Sequence, residues 1–277
     1  MKLVDVHCHL EGERFDADRD EVIKRAEDAG VKAIVVSGAN PEANRKILEL
    51  TKKYPLIKAS FGLYPIDAVI RDFKDLNDDY PRKIEAFDYK EELSWIKKHR
   101  DVCVSIGEVG LELSVVKEHK DFEKIKEAQI KVFEASIKLA LELDKPLVIH
   151  TRGGELEVLD ILDKCEHGKI VLHCFGGRKS LIKRAAENGY YFSVPAVIKR
   201  LLHFQTLVEM VDLKQLLTET DAPYLAPVAG ERSEPKDVLG TVQEIARIKK
   251  LSESPGDDPV GPEEVANQIW ENYEKVF

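Results

Sequence analysis

Six side chains of the types that bind divalent metals stand at or just beyond the ends of short apolar runs: His7, His9, Glu108, His150, His173 and Asp221. Imidazole and carboxylate groups are ligands for first-row divalent ions. His7 and His9 are two positions apart, so both face one side of an extended strand and can chelate one ion. Because six ligands exceed what one tetrahedral ion takes, the set indicates two ions that share a bridging carboxylate. Such a pair activates water for hydrolysis, as in phosphatases and nucleases.

The apolar runs that precede these residues alternate with helical patterns along the whole chain. Eight runs have the pattern of strands: Leu3–His7, Ala33–Ser37, Lys58–Leu63, Val102–Glu108, Pro146–His150, Ile170–His173, Tyr190–Ser193 and Gln215–Thr220. Alternation of strands and helices predicts an α/β fold, a single (β/α)8 TIM barrel over residues 1–277, with the six side chains at the carboxyl ends of the strands. A doubly wound open sheet is the alternative, although its glycine-rich turn is absent after the first strand.

Helices are predicted between the strands and at the end of the chain, over Asp20–Ala29, Pro41–Tyr54, Glu91–His99, Phe122–Leu143, Ser180–Asn188 and Pro262–Val276. In the longest, apolar spacing predicts a buried face that includes Ile125, Phe133 and Leu141. Residues 252–262, rich in Ser, Pro, Gly and Asp, are predicted to form a turn. Two long connections follow strand ends, where functional loops are common: 64–89 and 222–235.

Composition restricts the function classes. The chain has 277 residues, and 42 Lys and Arg against 51 Asp and Glu give a formal charge of −9, so a surface-wide attraction for duplex DNA is excluded. No apolar run approaches the length of a membrane span, and no signal peptide is recognised at the start. The four cysteines form no C-x-x-C pair, which favours a reducing, cytoplasmic location.

Motifs for other chemistries are missing or incomplete. Neither a dinucleotide-binding nor a P-loop glycine pattern occurs, so no organic cofactor is expected. Residues 103–107 lack the first glycine of a G-x-S-x-G elbow. Residues 176–180, Gly-Gly-Arg-Lys-Ser, are compatible either with phosphate contact at a helix start or with a plain turn.

The ordered motifs resemble those of the TatD family of metal-dependent deoxyribonucleases, within the amidohydrolase-like barrels, over nearly the whole chain. They are Asp5-Val-His-Cys-His-Leu10, Ile106-Gly-Glu-Val-Gly-Leu111, Pro146-Leu-Val-Ile-His-Thr-Arg152, His173-Cys-Phe-Gly-Gly177, Leu217-Thr-Glu-Thr-Asp-Ala-Pro-Tyr-Leu225 and Glu234-Pro235.

This resemblance implies an arrangement of the ligands. His7, His9, Glu108 and Asp221 would surround one ion, and Glu108, His150 and His173 would hold the other. Glu108 would then bridge the two ions, in the place that a modified lysine takes in related barrels. Asp221 would also orient or deprotonate the attacking water. Two divalent ions per subunit are expected, with Zn²⁺ or Mn²⁺ favoured by imidazole and Mg²⁺ tolerated by carboxylate.

Three motifs depart from the usual pattern of the family. Tyr64 stands where Gly-x-His-Pro has its imidazole, Glu112 replaces the Asp of Gly-Leu-Asp, and residues 193–195 lack a glycine. These positions bear on the substrate rather than on the metal ligands.

The resemblance implies a two-metal nuclease that removes nucleotides from the 3′ end of single-stranded or frayed DNA. Arg152, Arg178 and Lys179 are candidates for phosphate contact, and Tyr64 or Phe175 for stacking on a base. Two other functions stay open: a metal-dependent amidohydrolase or esterase, for example a deacylase of aminoacyl esters, and a catalytically silent barrel with a structural metal. The oligomeric state is not predicted.

Overall fold

The structure is a computed structural model that describes residues 1–76, 84–165, 167–252 and 261–277. Eight strands form one sheet in chain order, and each strand pairs in parallel with the next. They are β1 Leu3–Cys8, β2 Val31–Ser37, β3 Ile57–Phe61, β4 Cys103–Glu112, β5 Leu147–Arg152, β6 Ile170–His173, β7 Tyr191–Pro195 and β8 Leu216–Glu219. The predicted α/β TIM barrel is thereby confirmed.

Helices in the described ranges follow the strands as predicted, and three further ones lie after β5, β7 and β8. They are α1 Arg19–Asp28, α2 Pro41–Lys53, α3 Tyr89–Lys98, α4 Phe122–Leu143, α5 Glu155–Leu162, α6 Lys179–Glu187, α7 Leu202–Met210, α8 Val238–Ser252 and α9 Pro262–Val276. None of these helices is both long and apolar enough to cross a bilayer. Most of the turn predicted at 252–262 lies outside the described residues.

The strands are covered on both faces, as their apolar sequences predict. In β2, for example, every side chain except that of Lys32 is buried. On α4 the predicted face is buried at Ile125 and Phe133. Leu141 is 45% exposed, contrary to the prediction. Ala140 faces the core, and Leu141, the residue after it, is rotated by about 100° around the helix axis and therefore points away from the core.

β4 does not end at Glu108 as predicted but continues to Glu112, with a register shift against β5 between Ile106 and Val109. Residues just after β2 and β3 hold the main chain of Glu108 at this irregularity: its N–H donates to the carbonyl of Gly38 (3.1 Å), and its carbonyl accepts from the N–H of Leu63 (2.9 Å).

A glycine in the neighbouring segment makes this approach possible. A Cβ on Gly62 would lie 2.2 Å from the nitrogen of Glu108, so no side chain fits there.

β1 and β8 meet at the seam of the barrel, where side chains join them. Asp5 is fully buried, and its carboxylate accepts from the N–H (3.0 Å) and the hydroxyl (2.5 Å) of Thr220. The hydroxyl of Thr218 donates to the carbonyl of Val4 at 2.6 Å. Beyond the strands, the N–H of Asp221 donates to the carbonyl of His7 at 3.0 Å. The seam therefore fixes the main chain next to several predicted ligands.

We expect Asp5→Ala to lower the free energy of unfolding by about 2–4 kcal/mol, since the buried N–H groups of Thr220 and His7 lose their acceptor. Urea denaturation of the metal-free protein measures this. Asp5→Asn keeps an acceptor and is expected to cost less. Asp28→Ala removes an exposed carboxylate whose ion pair among residues 1–76, 84–165, 167–252 and 261–277 is with Lys24, and it should change stability by no more than about 0.5 kcal/mol. Equal costs for Asp5→Ala and Asp28→Ala would contradict the role of the seam.

Candidate metal centre

The six predicted ligands converge at the carboxyl ends of the strands. In chain order the barrel supplies His7 from β1, His9 just after it, Glu108 from β4, His150 from β5, His173 from β6 and Asp221 just after β8. The pairing of β5 with β6 places His150 directly beside His173.

His7, His9, Glu108 and Asp221 form what we call the first donor group. Nε2 of His7 lies 3.7 Å from Oε2 of Glu108 and 3.6 Å from Oδ1 of Asp221. Nε2 of His9 lies 3.5 Å from each of the same two oxygens. Ligands about 2.1 Å from a tetrahedral ion are about 3.4 Å from one another, so these spacings suit donors around one ion.

Glu108, His150 and His173 form the second donor group, with ligand atoms that all lie within 4.8 Å of one another. Oε1 of Glu108 is 2.9 Å from Nδ1 of His150. The two oxygens of this one carboxylate therefore face different donor groups. The groups are adjacent, because the rings of His7 and His173 stack with centroids 3.6 Å apart.

Each of the four imidazoles has one nitrogen next to an oxygen of the protein. The pairs are His7 Nδ1 with Ser37 Oγ (3.1 Å), His9 Nδ1 with the carbonyl of Ser37 (3.0 Å), His150 Nε2 with Glu112 Oε2 (3.2 Å) and His173 Nδ1 with Glu219 Oε2 (2.9 Å). A ring nitrogen that donates to such an oxygen leaves a lone pair on the other nitrogen, which is how proteins orient histidine ligands.

Buried polar atoms in the centre lack protein partners. Among the described residues, neither Nε2 of His7 nor Nδ1 of His150 has a hydrogen-bond partner, and both atoms face carboxylate oxygens. Leaving a buried polar atom in this state costs about 1–3 kcal/mol. A divalent cation accepts both kinds of donor, so the residues present fit a metal centre.

The protonation states of two buried groups, Glu108 and His7, also suit metal binding. Burial alone would raise the pKa of Glu108, but His150, whose Nδ1 is 2.9 Å from Oε1, and the charges of the surrounding imidazoles outweigh burial and hold that pKa well below its usual range. Burial, with the charge of His173 added, lowers the pKa of His7 well below its usual range. An anionic carboxylate and a neutral imidazole are the forms that bind metals.

Two carboxylates of the centre were missed by the sequence analysis. Glu219 is fully buried and accepts from Ser193 (2.6 Å) in addition to its contact with His173. Oε1 of Glu11 lies 3.5 Å from Nδ1 of His9, and its other oxygen is buried without a partner in the described chain. Each lies two residues from a predicted ligand, Glu219 from Asp221 and Glu11 from His9, and this short spacing in the sequence could have indicated that they belong to the centre.

The predicted substrate residues are distributed unequally. Tyr64 is half-buried and meets the ring of His150 edge-on at 5.0 Å. Arg152 and Arg178 are exposed, and Arg178 lines an open cleft of about 340 Å³ between the loops after β5 and β6. Phe175 is fully buried against Phe192, contrary to its predicted stacking role, because it presents no free face to a base.

Tyr224 is an aromatic side chain of the rim that the sequence analysis did not select. It is 52% exposed, and its ring centroid is 6.3 Å from that of His9. The guanidinium of Arg14 lies 5.4 Å from the Tyr224 ring. The loop that carries Tyr224 is fastened to the barrel by Arg232, which donates to the carboxylate of Asp18 at 2.6 and 2.9 Å. Tyr224 is therefore an exposed ring held next to the first donor group.

A parallel barrel with imidazoles and carboxylates buried at its strand ends is typical of metal-dependent hydrolases. The sequence profile of the family described as TatD related DNase matches residues 4–277, and the chain belongs to this family of metal-dependent hydrolases that act on ester bonds.

Similar proteins support this assignment. The chain is 36% identical to an uncharacterized metal-dependent hydrolase of Methanocaldococcus jannaschii, covering 100% of this chain and 97% of the relative. It is 31% identical to a deoxyribonuclease of Homo sapiens (99% and 94%) and 29% identical to the 3′-5′ ssDNA/RNA exonuclease TatD of Citrobacter rodentium (99% and 97%). Its fold is similar to that of YJJV, a TatD homologue of Escherichia coli, with a TM-score of 0.79, 22% identity and coverage of 99% and 97%.

We expect Mn²⁺ or Zn²⁺ to raise the melting temperature of the metal-free protein by about 5 °C or more, since a ligand at a hundred times its Kd adds about 2.7 kcal/mol. Glu108→Gln should abolish most of this rise, because Glu108 contributes to both donor groups. Differential scanning calorimetry measures both. Glu244→Gln, which alters a carboxylate that pairs with Arg247 on α8, should keep the full rise. An undiminished rise in Glu108→Gln would refute the assignment of Glu108 as a ligand.

Proposed function

We propose that this protein is a two-metal phosphodiesterase that removes nucleotides from the 3′ end of single-stranded or frayed DNA. The observation that carries the proposal is the position of Glu108, whose two oxygens face two adjacent donor groups. Two divalent ions per subunit, Zn²⁺, Mn²⁺ or Mg²⁺, fit such a pair of groups. The unit that acts is the barrel formed by residues 1–277, and the unpaired state of all four cysteines supports a cytoplasmic location.

His7, His9, Glu108 and Asp221 would hold one ion, and Glu108, His150 and His173 the other. When bound, the ions supply an activated water and stabilise the charge that develops on the phosphate oxygens. Asp221 is the carboxylate suited to take the proton of the attacking water, because its side chain is 17% exposed whereas that of Glu108 is only 4% exposed. A proton accepted there can pass to solvent.

The charge distribution favours a short, local contact with nucleic acid. With a formal charge of −9, the chain depends on the ions and on a few rim cations to attract phosphates. Arg152 and Arg178 are exposed at the rim, and Lys179 begins α6 beside them. Tyr224 replaces Phe175 as the candidate for stacking on the base next to the reacting phosphate.

We expect purified protein with Mn²⁺ or Mg²⁺ to shorten single-stranded DNA labelled at its 5′ end one nucleotide at a time, measured on denaturing gels. Asp221→Asn should lower kcat by about 10²–10⁴-fold, because the proton acceptor is lost. Asp163→Asn, a partly exposed carboxylate that pairs with Arg184, is the matched control and should keep the activity.

Two results would reject this function. Loss of the 5′ label as a mononucleotide would reverse the polarity. Hydrolysis of aminoacyl esters or amides without any cleavage of DNA, in a parallel screen with each metal, would instead establish the amidohydrolase or esterase alternative.

For Tyr224 we expect Tyr224→Leu to raise KM for single-stranded DNA by about 5–150-fold, since stacking on an aromatic ring contributes about 1–3 kcal/mol per base. Tyr224→Phe keeps the ring and should stay near the wild-type value. The same assay on an oligonucleotide with an abasic site at its 3′ end should show no difference between the three proteins. A KM that Tyr224→Leu leaves unchanged on the intact strand would remove Tyr224 from the substrate site.

A further inference from the structure

Tyr64 and Glu112, two of the positions at which the motifs depart from the usual family pattern, are in contact. The hydroxyl of Tyr64 donates to Oε2 of Glu112 at 3.2 Å, and Nε2 of His150 lies 3.2 Å from the same oxygen. The departures at 64 and 112 therefore belong to one cluster, which also includes a predicted metal ligand. We call Tyr64, Glu112, Ser114 and His150 the Glu112 cluster.

Glu112 is fixed at every polar atom. Its side chain is 1% exposed, and its second oxygen, Oε1, accepts from the N–H (3.0 Å) and the hydroxyl (2.5 Å) of Ser114. Its main-chain N–H and carbonyl are both bonded to the side-chain amide of Gln129, at 2.9 and 3.1 Å. A side chain held in this way cannot turn to a second orientation without breaking several buried hydrogen bonds.

The carboxylate of Glu112 is an acceptor at both oxygens. Oε1 accepts from Ser114, and Oε2 accepts from the hydroxyl of Tyr64. Because Oε2 acts as an acceptor, its contact with His150 at 3.2 Å is a hydrogen bond when the proton of that ring is on Nε2. Nδ1 of His150 is then the atom left for the second donor group, where it lies 2.9 Å from Oε1 of Glu108.

We propose that Glu112 is a positioning residue that sets the tautomer and orientation of the His150 ring, and that the hydroxyl of Tyr64 holds Glu112 in place by a hydrogen bond. A change of residue type at 64 then requires a matching change at 112. The inference rests on the proposed two-metal centre. It assigns the hydroxyl of Tyr64 to the support of a metal ligand rather than to the substrate. The aromatic ring of Tyr64 also contacts the same imidazole edge-on, with the ring centroids 5.0 Å apart.

Glu112→Gln tests the role of the carboxylate. The Gln side chain of this variant has one amide nitrogen, which can lie on either side. If this nitrogen faces His150 and Tyr64, Nε2 of His150 must accept a hydrogen bond, and the ring proton then moves to Nδ1, which loses its lone pair. If the nitrogen faces Ser114 instead, it meets the N–H and the hydroxyl of Ser114, which both donate to Glu112 in the wild type. Calorimetric titration of the metal-free protein with Mn²⁺ should show that one ion binds about 10–100-fold more weakly, a typical loss for a partner of a metal ligand, and the other ion within about threefold of its wild-type affinity.

Glu155→Gln is the matched control, because Glu155 is the first residue of α5, which follows β5, and its Oε1 accepts only from the N–H of Gly153 in the described structure. It should bind both ions as the wild type does. Two ions bound at wild-type affinity by Glu112→Gln would overturn the inference.

Nitrogen NMR of the Zn²⁺-loaded protein provides a readout that does not depend on the number of ions. The signals of His150, identified by their absence in His150→Asn, should show the proton on Nε2 in the wild type and its loss or displacement in Glu112→Gln. If the wild type binds only one ion, the two-metal proposal fails, whereas the tautomer of His150 still decides the role of Glu112. A proton on Nδ1 in the wild type would overturn that role.

The coupling of the two positions is tested by restoring the usual family pair. Tyr64→His and Glu112→Asp should each weaken the affected ion by roughly fivefold or more, because one partner no longer matches the length of the other. The double variant should return to within roughly threefold of wild type. Losses that simply multiply in the double variant would show that the two positions are independent and would overturn the coupling.

Discussion

The close approach of imidazole nitrogens to the buried carboxylate of Glu108 is the constraint on which the rest of this site depends. Its oxygens face imidazole nitrogens on two sides, and two of these nitrogens, Nε2 of His7 and Nδ1 of His150, have no hydrogen-bond partner among the described residues. Such an arrangement is unfavourable in a medium of low polarity unless positive charge is placed among the donors. Other contacts at this end of the barrel keep the ligand atoms in these positions.

Two sets of contacts fix the ligand atoms: side chains that contact the imidazoles, and main-chain groups that contact Glu108. Ser37, Glu112 and Glu219 contact the outer nitrogens of the imidazoles, so the ring orientations are fixed by groups other than Glu108 and Asp221. Main-chain contacts of Gly38 and Leu63 hold Glu108 itself, where the absence of a side chain at Gly62 lets the segments approach. The substrate-facing side is less constrained, with exposed cations and an exposed ring. This contrast agrees with a fixed reaction centre and a more variable specificity rim.

Much of this was predictable from the sequence, because strand ends in a parallel barrel share one edge and a polar residue that closes an apolar run is conspicuous. The strands, most helices and the convergence of the six ligands follow from that rule. The rule fails where tertiary contacts decide: β4 runs past Glu108 because irregular pairing with β5 continues the strand. It also cannot distinguish Phe175, buried, from Tyr224, exposed, since both follow strand ends. The link between Tyr64 and Glu112 spans positions that no local pattern connects.

The seam between β1 and β8 has a consequence for biosynthesis. The first donor group takes two imidazoles from the beginning of the chain and a carboxylate from position 221, which are joined only when Asp5 meets Thr220. A nascent polypeptide emerging from the ribosome thus displays His7 and His9 long before their last companion is synthesised. The first donor group is therefore complete only when translation is nearly finished.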